Sequence, residues 1–333
     1  MQLARRSALV LGTAAFFAAS GAAHAQQAPL KVILFPGLSN LAIISAQANG
    51  FFAKRDIAVE VVNTPNSDEL RHGLAAGRYQ IAHAAVDNAV AQIENDKVDA
   101  SIVMGGDGGL NLLIVQPEIA SIEQLKGKTV AVDAVNTAYA LLLYKMLKVK
   151  GLERDKDYKV NPVGGTGQRL AAMRDNKENA WGAMMNPPFS IQVVKSGQFK
   201  SLGSPASLVG AYQAGGVWIM NGWAKANEDV LVRYLQANIE GIRWALDPAN
   251  KEATIKLLAE RLKLTPDIAA ESLAMGLDAK AGGFAKDLAF DMEGFKTVLA
   301  LRAELEGQWG GKPPAPDKYL DMSFYGKALA GLK

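Results

Sequence analysis

The sequence predicts an α/β fold with largely parallel strands and enough chain for two hydrophobic cores. Short apolar runs, such as residues 31–35 and 129–132, alternate with helical patterns, the mark of strands layered under helices. Removing a 25-residue leader from 333 residues leaves 308, about twice a typical domain. Cysteine is absent, so these cores hold the fold together without disulfides.

Residues 31–35 form the first strand, which leads through Pro36, Gly37, Leu38, Ser39 and Asn40 into a helix ending near Asn49, where Gly50 closes it. A strand at 57–62, a helix at 68–76 closed by Gly77, and a short strand at 80–84 follow. That strand runs into Val86, Asp87 and Asn88, and a helix from Asn88 to Asn95 leads to a strand at 100–104.

The composition then changes abruptly: four glycines surround Asp107 in residues 105–109. Their backbone turns at small steric cost, which suits a flexible turn or a hinge equally. A phosphate loop is excluded, because no Lys-Ser or Lys-Thr follows and no G-x-G-x-x-G opens a helix. Further strands fall at 112–115, 129–132, 158–163 and 180–185, with helices at 138–150 and 169–175. Each strand ends in a polar loop that starts a helix, the edge at which open α/β sheets bind ligands.

The last third is mainly helical. Leu231, Leu235, Ile239, Ile242 and Leu246 fall on one helix stripe, a core face that Asp247-Pro248 terminates. Thr265-Pro266 starts another helix with a capping hydroxyl and a first-turn proline. Residues 313–316 link to a short final helix near Lys327.

The first 25 residues hold Arg5-Arg6, an apolar stretch over 8–19 and Ala23-His24-Ala25 before Gln26, the pattern of a cleaved signal peptide. The stretch is too short to span a bilayer, and no cysteine follows it for lipid attachment. Adjacent arginines leave general and twin-arginine export both open. The expected mature protein works outside the cytoplasm.

Its 34 basic and 33 acidic residues give a net charge of +1, which asks for neither nucleic acid nor an anionic membrane. The absence of cysteine removes thiolate catalysis, iron–sulfur clusters and cysteine-bound zinc. His72 and His83 are eleven residues apart, not the i, i+4 spacing of paired ligands. No G-x-S-x-G elbow is present. The expectation is a protein with no catalytic residue, cofactor or metal.

Four stretches carry a family resemblance: residues 47–54 (QANGFFAK), residues 125–132 (LKGKTVAV), the helix with Leu141-Leu142-Leu143 ending at Gly151-Leu152, and Asn186-Pro187-Pro188-Phe189. In this order the chain resembles the periplasmic substrate-binding proteins of ABC importers that serve sulfonates, nitrate, taurine and thiamine-pyrimidine precursors. The similarity is continuous from about Lys31 to Gly203 and fainter beyond. It implies a type II-like two-lobed α/β fold, a cleft between the lobes and closure on one small ligand. The implied division is lobe 1 at 26–107 and 216–333 and lobe 2 at 108–215, with the glycine cluster at the outgoing crossover and Ala214-Gly215-Gly216 at the return. The implied partners are a small-molecule ligand and an inner-membrane permease, with the receptor itself a monomer.

Two departures stand out. Asp56 replaces a glycine common after the Gly-Phe-Phe stretch, and Asp133 to Thr137 replace a small, serine-rich segment.

Helix N-termini at the cleft offer free N–H donors, to which Ser39, Asn40, Asn88, Asn136, Thr137, Thr166 and Gln168 add neutral polar groups. Asp87 and Asp133 place acceptor-only carboxylates in two of these loops. Asp ordinarily caps such a helix; a carboxylate free of that role selects a ligand that donates hydrogen bonds or carries positive charge. Tyr139, Trp181, Tyr212 and Trp218 are the aromatic residues nearest these loops; Trp181 reads as core, while Tyr212 and Trp218 flank the return crossover and are taken as ligand contacts. Asn186 presents a rigidly held amide before two prolines.

The expected ligand is a small polar organic molecule, pyrimidine-like or amine-bearing. The alternative is a sulfonate or carboxylate with Arg169 as counter-charge and both aspartates serving as caps. A receptor that signals to a membrane sensor fits the same residues. The related pyrimidine-forming enzyme depends on a cysteine-rich motif that this chain lacks, and regulators of this design begin with a helix-turn-helix where this chain has a leader.

Overall fold

The computed structural model describes residues 28–332; the stretch read as a signal peptide lies outside them. The chain begins with β1 (Leu30–Leu34), α1 (Leu41–Ala48), β2 (Val59–Asn63), α2 (Ser67–Ala75), β3 (Ile81–Ala85), α3 (Asp87–Asn95) and β4 (Ala100–Met104). Next come β5 (Leu112–Val115), β6 (Thr129–Val132), α4 (Ala138–Val149), β7 (Lys159–Pro162), α5 (Thr166–Asp175), β8 (Gly182–Met185), α6 (Phe189–Lys195), β9 (Lys200–Ser201) and α7 (Ala206–Val209). The last part holds β10 (Gly215–Met220), α8 (Asn221–Ala226), α9 (Glu228–Leu246), α10 (Lys251–Leu262), α11 (Pro266–Leu277), α12 (Met292–Glu306) and α13 (Ser323–Ala330).

These strands build two five-stranded sheets, ordered β2-β1-β3-β10-β4 and β7-β6-β8-β5-β9. Every residue of β4 and β8 is buried, as expected of strands covered on both faces. The pairs β1–β2, β1–β3, β6–β7 and β6–β8 are parallel. By contrast, β10 runs antiparallel to β3 and β4, and β5 antiparallel to β8 and β9. The expectation of largely parallel strands thus holds for four of the five strands of each sheet, since β4 and β9 pair only with the reversed strands; β5 and β10 are the exceptions, and the reason is geometric. Both β5 and β10 enter their sheets directly from a crossover, at the end where the parallel strands finish, so they must run against them.

The chain leaves the first sheet after Met104 and returns to it at Gly215. The two crossovers are joined: Ala214 N and Gly215 N donate to Asp107 O at 3.1 and 2.9 Å. The segment before α12 braces them, with Gly108 N donating to Gly282 O at 2.9 Å and Ala285 N to Gly106 O at 3.1 Å.

Helix α9 carries the apolar stripe read from its spacing. Leu231, Leu235, Ile239 and Ile242 are fully buried, each stabilising the fold by roughly 2 kcal/mol through removal from water. Gly241 lets α9 lie close on α1; a Cβ there would come 2.9 Å from Ala46 N. Pro266 opens α11 as read, but the Thr265 hydroxyl makes no capping bond. Among the described residues, no helix is long and apolar enough to cross a membrane.

Candidate ligand-binding site

The parallel strands of both sheets end toward one cavity, as the rule for open α/β sheets requires. From the first sheet it is lined by Phe35, Ser39 and Asn40 after β1, by His83 to Ala85 of β3, and by Asn88. Gly105, Gly106, Asp107, Gly215 and Gly216 of the crossovers form its base, and Asp133, Thr137, Tyr139, Thr166, Arg169 and Asn186 line it from the second sheet.

Its polar groups are locally fixed. The Asn40 amide donates to Phe35 O at 2.6 Å, which folds the β1–α1 loop over its own strand end. Arg169, at the buried start of α5, donates through Nε to Met184 O (3.1 Å), Nη1 to Gly164 O (2.9 Å) and Nη2 to Thr166 Oγ1 (2.9 Å). The Thr166 hydroxyl in turn donates to Asn186 Oδ1 at 2.7 Å.

The acceptors are less engaged. Asp133 Oδ2 accepts from the Ser67 hydroxyl, whereas its Oδ1, and Asn88 Oδ1, have no hydrogen-bond partner among the described residues. Burial pushes the Asp133 carboxyl above its ordinary range, against the opposing pull of Ser67 and the Arg169 charge. His83 is neutral: burial lowers its pKa to about 3, and its Nε2 shares a 2.7 Å hydrogen bond with the Tyr234 hydroxyl. Burial also raises the pKa of Tyr139, so its hydroxyl remains protonated.

The residues singled out from the sequence divide into two sets. Ser39, Asn40, Asn88, Asp133, Thr137, Thr166 and Asn186 line the cavity together. Asp87, Asn136, Gln168, Tyr212 and Trp218 do not.

Asp87 is neither a free carboxylate nor a side-chain cap; it is buried in an ion pair with Arg302 of α12. The Asn136 carbonyl accepts from the same guanidinium at 2.7 Å. Gln168 faces outward into a separate pocket with Pro36, Thr64 and Phe189. Tyr212 and Trp218 belong to the apolar core of the first sheet, and the Trp218 indole N–H donates to Gln92 Oε1 at 3.0 Å.

Sequence reasoning missed Asp107 and His83 as cavity residues and passed over Tyr139. Asp107 was hidden among glycines, although a carboxylate in the middle of such a cluster was the visible clue. Trp181 is buried as read, with the Lys128 ammonium 3.7 Å above its ring.

The sides of the cavity also touch each other. Leu38 N donates to Pro187 O at 3.1 Å and Gly165 N to Pro65 O at 3.0 Å, alongside the Ser67–Asp133 bond.

This two-sheet architecture around a shared cavity is the periplasmic binding protein fold, and solved structures share it. A protein of Bordetella bronchiseptica RB50 matches with a TM-score of 0.76 at 15% identity, over 92% of this chain and 98% of that one. The periplasmic nitrate-binding protein NrtA of Synechocystis matches with 0.75 at 15% identity, over 92% and 89%. The alkanesulfonate-binding protein SsuA of Xanthomonas axonopodis pv. citri, bound to MOPS, matches with 0.68 at 17% identity, over 90% and 97%. The chain belongs to the NMT1/THI5-like family, which matches residues 39–251. No curated protein sequence matches it.

Proposed function

We propose that this protein is the periplasmic solute receptor of an ABC importer, closing its lobes on one small ligand and delivering it to an inner-membrane permease without catalysis. Family membership supports the receptor role. The fold is shared with proteins described as nitrate-binding and alkanesulfonate-binding, and with the ligand-binding component of a Staphylococcus aureus ABC-type import system.

The ligand we infer is a small polar organic molecule that donates hydrogen bonds, pyrimidine-like or amine-bearing. One observation carries this: the guanidinium nitrogens of Arg169 all have protein partners, whereas Asp133 Oδ1 has none among the described residues. A ligand that donates completes this site, while an anion would add negative charge beside a buried carboxylate.

A sulfonate or carboxylate is the second reading. Arg169 itself lines the cavity, and the first turn of α5 has no side-chain cap, an arrangement suited to anions.

Mass spectrometry of the compound released from freshly purified protein, paired with Asp133→Asn, tests the choice. On the donor reading the released compound carries N–H donors and the substitution weakens its binding by roughly 1–3 kcal/mol, the scale for a hydrogen bond to a charged group. Release of an anion whose affinity is unchanged or improved by the substitution would reverse the assignment.

A further inference from the structure

Asp107 occupies the junction of the two crossovers. Its carbonyl takes the amides of Ala214 and Gly215, and its Oδ1 accepts from Gly109 N at 3.0 Å. Oδ2 has no hydrogen-bond partner among the described residues, although the side chain is buried and the residue lines the cavity. The surrounding glycines make room for it: a Cβ on Gly215 would come 2.5 Å from Oδ2, and one on Gly106 would come 2.9 Å from the Gly215 carbonyl carbon.

A buried carboxylate without a counter-charge is costly, and its neighbours do not supply one. Arg169 lines the same cavity, but the carboxylate charge acting on it is that of Asp133. Arg302 is paired with Asp87. Tyr139 and Tyr212, whose pKa values burial raises and the Asp107 charge raises further, are neutral, as is His83. Burial pushes the Asp107 carboxyl upward, with the Gly109 amide and the Ser39 hydroxyl pulling the other way.

We propose that Asp107 is a ligand-binding carboxylate whose Oδ2 receives a cationic or strongly donating N–H group, such as an ammonium, an amidinium or an amino-heteroaromatic. The proposal rests on the receptor reading and adds a second anionic contact to Asp133. Because Asp107 joins both crossovers through its backbone, a ligand held on Oδ2 is tied to the segments about which the lobes move. Occupancy of this oxygen thereby favours one arrangement of the crossovers over another, the differential contact that closure requires.

The test uses ligand-stripped mature protein, wild type and Asp107→Asn. Asparagine keeps an oxygen for the Gly109 amide and replaces Oδ2 by an amide. A carboxyl whose folded pKa is raised contributes stability below its unfolded pKa and loses it as pH rises through the folded value. The variant is therefore expected to melt above wild type at pH 7.5, with the gap narrowing toward pH 4.5. A variant that melts lower at both pH values makes Asp107 purely structural and overturns the proposal.

Methylammonium, benzamidine and 4-aminopyrimidine are the binding probes. At least one should raise the wild-type melting temperature, and its Kd should weaken about tenfold or more in Asp107→Asn. Failure of all three, or an equal response in the variant, counts against the assignment. If Asp133→Asn loses the response while Asp107→Asn keeps it, the donor-ligand receptor stands and only the Asp107 contact falls. If nitrate or methanesulfonate binds instead and both substitutions strengthen it, the donor reading beneath the proposal falls as well.

Discussion

Arg302 holds Asp87 by two parallel hydrogen bonds, Nε to Oδ1 and Nη2 to Oδ2, both 2.8 Å long, with both side chains almost fully buried. The remaining donors reach the Asn136 carbonyl and Gln308 Oε1. One guanidinium thus links the start of α3, the C-terminal half of α12 and the loop before α4. The pair takes Asp87 out of the ligand chemistry and makes it a structural residue. Asp87→Asn is expected to destabilise the protein by about 3 kcal/mol, the low end for breaking a buried pair from one side. Affinity for the released ligand should change little. Urea unfolding and calorimetric titration check the two halves, and in the Asp87→Asn/Arg302→Met double variant the costs should sum to less than the singles imply.

His83 sets an acid limit on stability. Its pKa is lowered from 6.5 to about 3 by burial, so the unfolded chain binds a proton that the folded chain refuses. Its contribution is complete above pH 6.5 and is lost as pH falls toward 3, by up to roughly 4 kcal/mol. His83→Gln should flatten that part of the stability profile, whatever its effect at neutral pH. Denaturation midpoints from pH 7 to 3.5 for both proteins test this; parallel profiles would place the acid limit elsewhere.

Several elements could be read from local sequence alone. Residues 100–104, 112–115 and 129–132 are apolar runs flanked by polar residues or glycine, and they coincide with β4, β5 and β6. Strand direction was not so encoded, because a run buried on both faces reads alike whichever way it points; hence the antiparallel β5 and β10 went unrecognised. The polar loops after β1, β6 and β8 held residues that line the cavity, since the sheet rule needs only strand ends. What local reading could not supply was the partner of each charge. Asp87 and Asp133 look equivalent in sequence, and Arg302, which separates their roles, lies 215 residues from Asp87. Tyr212 and Trp218 failed for a related reason: flanking a crossover does not determine which face of the sheet a side chain takes.

Asp56, which follows the charged residues after the Gly-Phe-Phe stretch, sits in a turn position suited to glycine. It has φ +52° and ψ +39°, a left-handed conformation in which glycine carries no Cβ penalty. Asp56→Gly is expected to raise stability by about 0.5 kcal/mol, since relief of the strain exceeds the added freedom of the unfolded chain. The residue lies away from the cavity lining, so ligand affinity should be unchanged. Thermal unfolding and titration of the single variant decide both points; a loss of stability would mean that the aspartate side chain contributes more than its backbone costs.

Gly37 is where closure can be challenged directly. It has φ +154°, and a Cβ there would lie 2.9 Å from Asn186 Nδ2 and 3.3 Å from Pro187 O on the opposite side of the cavity. Its neighbour Leu38 donates its amide to that same Pro187 carbonyl. Gly37→Ala should therefore hold the two sides apart, in addition to a backbone cost of about 1–3 kcal/mol for a non-glycine residue in this region. The two effects separate by measurement. The backbone cost appears in the melting temperature of the ligand-free protein, whereas the wedge appears as a larger radius of gyration at saturating ligand and about tenfold weaker binding. A variant that melts lower yet compacts to the wild-type scattering profile would show that this contact does not limit closure.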